Sequence, residues 1–125
     1  MEIKDKELLL KDLCARLSYG VKVAFFNEDL TYHSEPKTLT GIECINNLNY
    51  SSLEDEDGNT TIVEFVKPYL FPLSSMTEEE RITIGNEFAY GHPHKAMDVL
   101  HKKHIDYRGL IPMGLALDAT GKNVY

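Results

Sequence analysis

Between Val21 and Val66 the chain carries four strand-like runs so closely spaced that no crossover helix fits between any two of them. Parallel neighbours need a connection of a dozen or more residues, usually helical, so this spacing demands antiparallel pairing. The first run alternates Val21, Val23 and Phe25 with Lys22, Ala24 and Phe26, the pattern of a strand with one face more deeply buried. Asn27 to Pro36 is polar and reads as a loop. Lys37 to Ile45 follows as a second strand, with Gly41 a candidate bulge. Leu48 to Leu53 and Thr60 to Val66 flank the acidic turn Glu54-Asp55-Glu56-Asp57-Gly58-Asn59, where Asp57-Gly58 is a hairpin signal. Lys67 to Leu73 holds Pro68 and Pro72 and is expected to be extended, near a sheet edge.

Helical signals bracket this region. Leu10, Leu13, Cys14 and Leu17 share one face of a helix running from about Ile3 to Leu17, and Gly20 suits its left-handed stop. Glu7–Lys11 and Asp12–Arg16 have the acid-first, four-residue spacing of exposed ion pairs. Thr77-Glu78-Glu79-Glu80 is a capping box that starts a further helix, whose continuation through Ile82, Ile84 and Gly85 is weakly signalled. Pro93 opens a last helix over about His94 to Lys103, with Met97, Leu100, His101 and His104 on one face. Leu110 to Leu117, broken by Pro112 and Gly114, suits either a closing strand or an irregular tail. The fold class is α+β: an N-terminal helix, a small antiparallel meander with the option of a barrel-like closure, a C-terminal helix and an irregular tail. A chain of 125 residues makes this one domain, 1–125.

Charge and cysteine usage narrow the setting. Twenty acidic residues against 13 basic ones give a net charge of −7, which repels duplex nucleic acid and anionic lipid at long range. No run approaches the ~20 apolar residues of a membrane span. The charged opening, Met1 to Lys6, does not read as a secretory signal. Cys14 and Cys44 are too few for a disulfide scaffold and suit a reducing cytoplasm. Cys14 reads as a core residue and neither cysteine as a nucleophile.

Four histidines, His92, His94, His101 and His104, lie near Asp98 and Asp106, and such side chains suit zinc, manganese or iron. Their spacing matches no standard ligand motif, and polar histidines along a helix boundary, some near its C-terminal end, are the reading it favours. Asp55, Asp57 and Glu64 partly follow a calcium loop around Gly58, but Leu53 stands where its first ligand belongs. Phosphate-loop and nucleophile-elbow motifs are missing, and Ser74 and Ser75 read as helix-entry residues. The densest cluster is His104-Ile105-Asp106-Tyr107-Arg108-Gly109. Arg108 can grip a phosphate or carboxylate and Tyr107 can stack on a flat ring, or Arg108 can pair internally with Asp106 or a helix carboxylate. Lys67 and Tyr69 repeat the pairing of a cation with an aromatic.

Three stretches carry a resemblance: Leu13 to Val23, Lys67 to Glu79, and His104 through Ala116. They resemble a small uncharacterised protein family found in Bacteroides-type gut bacteria and their phages and mobile elements. The family brings no established activity, so no residue role transfers. What the resemblance implies is context, a cytoplasmic accessory protein borne by a phage or mobile element.

The expected function is a non-catalytic binding protein with no cofactor and no metal. It would hold a small anionic, nucleotide-like ligand through His104, Asp106, Tyr107, Arg108, Lys67 and Tyr69. In a phage context it would sequester a nucleotide signal of host defence. One alternative is an acidic adaptor or inhibitor docking Glu54 to Asp57 on a host protein. The other is a small metal-dependent hydrolase built on the histidines. Open sheet edges make a homo-oligomer a further option.

Overall fold

A computed structural model describes residues 1–45 and 50–125. Helix α1 (Ile3–Arg16) ends in a short 3-10 turn, and Gly20, at φ +70, reverses the chain into β1 (Lys22–Phe25). Strands β2 (Lys37–Ile45), β3 (Tyr50–Asp55) and β4 (Thr60–Thr61) follow, then β5 (Val66–Pro72), α2 (Glu78–Ala89), α3 (Pro93–Lys102), β6 (Ile105–Asp106) and β7 (Leu117–Asp118). The part of the third expected strand at Leu48 and Asn49 lies outside the described residues.

One sheet runs in the order β4-β3-β2-β1-β5-β6, with β7 also paired to β5. The four strands from β1 to β4 and the β1–β5 pair are antiparallel, as their short connections require. The register of β2 on β3 slips between Leu39 and Gly41, so the glycine does mark a bulge. β6 and β7 instead join β5 in parallel, which makes the sheet mixed and open, with no barrel. These parallel partners come from residues beyond the helices, and the helical hairpin is what supplies the long crossover.

Two element expectations are corrected. Thr60 to Val66 is not one strand: β4 stops at Thr61, a 3-10 turn occupies Val63–Phe65, and β5 starts at Val66. Val63 is buried there, its amide held by the Ser51 hydroxyl at 3.1 Å. The proline segment is interior to the sheet and not at its edge. Pro68 is tolerated because β7 begins beside Tyr69 and β6 beside Phe71, so neither asks for the missing N–H.

The inner face of α1 also differs from expectation. Leu9, Leu10, Leu13 and Arg16 are buried, together with Asp12, while Cys14 is exposed. Asp12 and Arg16 are therefore not a surface pair, since both side chains are fully inaccessible. The main core joins α1 to Val21, Val23, Leu39, Leu53, Val66, Leu70 and Leu110. A second core packs Ile84 of α2 against Ala96 and Leu100 of α3 and Ile105 of β6. Pro93 opens α3, and the capping box at Thr77 and Glu80 is complete, which lets α2 run on to Ala89 despite Ile82, Ile84 and Gly85. No helix among the described residues is long and apolar enough to cross a membrane.

Candidate functional site

The α3–β6 junction brings the chemistry together. Lys103 ends the helix and His104 turns the chain back with φ +57, a left-handed conformation unusual for a residue with a side chain. That turn drives the imidazole inward, where it stacks on Tyr125 with ring centroids 3.8 Å apart. His104 is 8% exposed, and its Nδ1 has no hydrogen-bond partner among the described residues. Burial, aided by the nearby Arg16 guanidinium, pushes its pKa down to about 4, so the ring is neutral at physiological pH.

Tyr125 links this turn to the centre of the sheet. One step beyond the Val23–Pro68 pair of β1 and β5, its hydroxyl accepts from the Lys22 amide at 2.9 Å and donates to the Tyr69 carbonyl at 2.7 Å. A side chain thus stands in for one rung of the ladder. Burial pushes the phenol well above its ordinary pKa, which suits a hydroxyl that must keep its proton to donate.

Beside the turn opens a groove of about 530 Å³. His104, Tyr125 and Phe71 form its aromatic wall, and Lys102, Lys103 and Glu80 supply its charges. Lys102 is exposed with no ion-pair partner among the described residues, whereas Lys103 is bound to Glu80 Oε2. Glu80 Oε1 simultaneously accepts from the Thr77 amide at 2.9 Å. The Lys103 bond, then the Thr77 amide, holds the Glu80 carboxyl down at about 2.

A buried polar chain lies behind the groove. Asp12 accepts from Arg16 Nε at 2.9 Å through one oxygen and from Arg108 Nε at 3.1 Å through the other. Arg16 Nη2 donates to the Ile105 carbonyl, and its Nη1 is unpartnered among the described residues. Arg108 Nη2 donates to the Tyr107 hydroxyl at 2.9 Å. That hydroxyl is also hydrogen-bonded to His101 Nε2 at 2.6 Å, and donates there when the ring carries its proton on Nδ1. Burial, followed by the charge of Arg16, lowers the His101 pKa and favours the neutral acceptor.

The six residues singled out by sequence are thereby distributed. His104 lines the groove. Asp106, Tyr107 and Arg108 border a separate hollow of about 430 Å³ beside Pro72 and Ile111. Asp106 is buried and accepts the amides of Leu110 and Ile111, both at 2.8 Å, so it shapes the tail. Arg108 is engaged by Asp12, the internal helix-carboxylate pairing weighed from the sequence. Lys67 covers Phe26 at 5.2 Å, and Tyr69 is buried against Ala24 and Ala119. The 67–69 and 104–108 segments do not pair directly, since β6 lies beside Phe71 and Pro72; Tyr125 links them, bonded to the Tyr69 carbonyl and stacked on His104. Lys102, Lys103 and Glu80 were not selected from the sequence, although the capping box marked Glu80. Tyr125 gave no local signal, because its partners are distant in sequence.

Elsewhere the candidate chemistry is dispersed. His92 faces Glu87 at 3.3 Å, and His101 and His104 are taken by Tyr107 and Tyr125. Among the described residues no group of three or more His, Cys, Asp or Glu could hold a metal ion. In the acidic turn, buried Asp55 accepts from the amides of Asp57 and Asn59, Asp57 pairs with Lys37, and Glu56 accepts from the Thr38 amide. No family model, curated protein or solved structure matches the chain.

Proposed function

We propose that this is a non-catalytic binding protein that holds a small anionic, ring-bearing ligand of nucleotide type in the groove beside His104. The observation that carries the reading is a concave site on an acidic molecule where two adjacent lysines, Lys102 and Lys103, flank an aromatic wall. Lys102, and Lys103 when released by Glu80, attract an anion where the net charge of −7 would otherwise repel it, and Phe71 and Tyr125 offer flat apolar surface to a ring. His104, stacked on Tyr125, fixes that wall. In the phage or mobile-element context implied by the resemblance, the ligand would be a nucleotide signal of host defence, sequestered in the cytoplasm.

Of the four acidic residues offered for the adaptor alternative, Asp55 closes its own turn, and Glu56 and Asp57 are engaged by Thr38 and Lys37 of β2, which weakens that reading. Calorimetry with mono-, di- and cyclic nucleotides tests the proposal. Saturable binding, weakened several-fold by Lys102→Ala, is expected. No heat from any nucleotide sinks it.

A further inference from the structure

Resting on that reading, we infer that the ligand's anionic group is a phosphomonoester, and that Glu80 imposes this choice by occupying Lys103 until a stronger anion displaces it. The groove offers two unequal cations. Lys102 is unpaired among the described residues, while Lys103 is already neutralised by Glu80 Oε2. Any ligand that uses both must first outcompete a carboxylate that is tethered in place.

Tethering decides the selectivity. Glu80 sits at the third position of α2, and its Oε1 is fixed by the Thr77 amide while the Thr77 hydroxyl receives the Glu80 amide at 3.1 Å. The carboxylate can therefore release Lys103 by pivoting about Oε1 without giving up the helix cap. A monoanion, such as a carboxylate or a phosphodiester, carries no more charge than Glu80 and lacks its tether. A phosphomonoester carries between one and a half and two negative charges near neutrality and can displace it. Glu80 is thus a specificity-determining residue that never needs to touch the ring.

Glu80→Gln isolates this role, because glutamine also closes a capping box and removes only the charge facing Lys103. The probes are adenosine 5′-monophosphate, its 3′,5′-cyclic form and adenosine, titrated into the full chain by calorimetry at about pH 7.5 and about pH 5.5. These values bracket the second phosphate ionisation, near ~6. Of the groove's ionisable groups, Glu80, Lys102, Lys103, His104 and Tyr125, His104 has its ordinary range in that window, and burial places it below both values. At the higher pH the wild-type protein is expected to prefer the monophosphate over the cyclic form by about fivefold, the worth of one extra charge at contact in water. That preference shrinks at the lower pH. Glu80→Gln is expected to tighten both phosphates by about two- to fivefold and to narrow the gap between them. Wild-type binding with no preference, or affinities that Glu80→Gln leaves untouched, overturns the inference while leaving the groove reading intact. Silence from both proteins with every probe removes the groove reading and this inference together.

Discussion

Asp12 shows how a single residue can be read correctly in its chemistry and incorrectly in its place. The four-residue step to Arg16 identifies an ion pair, and both partners proved fully buried, with Arg108 attached to the second oxygen. Two guanidinium groups on one carboxylate make that carboxylate indispensable to the cluster. Asp12→Asn leaves Arg16 buried without its counter-charge, and a loss of about 3–5 kcal/mol is expected in urea unfolding. A loss below about 1 kcal/mol would show that water already reaches the cluster. His104 yields a second test at this scale. Its folded pKa, about 4, lies below the ordinary 6.5, so the unfolded chain binds the proton first as pH falls. Stability supplied by the neutral ring is complete above pH 6.5 and drains away toward pH 4, by about 3 kcal/mol in all. His104→Asn keeps a residue that tolerates the left-handed backbone while removing the titration. The slope of stability between those pH values should flatten in that variant, and an unchanged slope would move the effect to another group.

Helices and strands were more legible than single residues, for a physical reason that differs from element to element. The Thr77–Glu80 capping box is local and was visible as four consecutive letters, and the same holds for the Gly41 bulge and the Pro93 start. The placement of β5 beside β1 and the parallel addition of β6 were not visible, because they depend on contacts between residues far apart in sequence, such as Phe71 with Ile105. The inner face of α1 was misread by a fraction of a turn: leucines on either side of Asp12 and Arg16 pull that pair inward, which an apolar periodicity count excludes by construction. Gly85 offers an element-scale test. It sits inside α2, where a Cβ would meet nothing within 4 Å, so no contact in the chain requires a glycine. Gly85→Ala is expected to raise stability by up to about 1 kcal/mol, measured by chemical denaturation, since alanine is the better helix former. A loss of stability would mean that α2 needs the close approach glycine allows.

Across the whole molecule, the groove exists because three distant parts of the chain are fastened at one residue. Tyr125 bridges β1 and β5 with its hydroxyl and stacks on His104 with its ring, so one side chain holds the sheet and builds the groove wall. These two roles use different atoms and can be separated. Tyr125→Phe removes the bridge between the Lys22 amide and the Tyr69 carbonyl and keeps the ring. It should lower stability by about 1 kcal/mol or somewhat more, as expected for groups left without a partner. Nucleotide affinity should stay within about twofold, because stacking needs only the ring. Tyr125→Ala removes both, and it should be the less stable of the two and lose most of its affinity, by calorimetry under conditions where it is still folded. Equal affinity in the two variants would detach the ring from the site and leave Phe71 as the aromatic surface. Because residues 22, 69, 104 and 125 must all be in place before the groove has a wall, ligand binding should also stabilise the whole sheet. Saturating ligand should therefore raise the unfolding midpoint of the wild type, and of Tyr125→Phe by a similar amount, by mass action on the folded state.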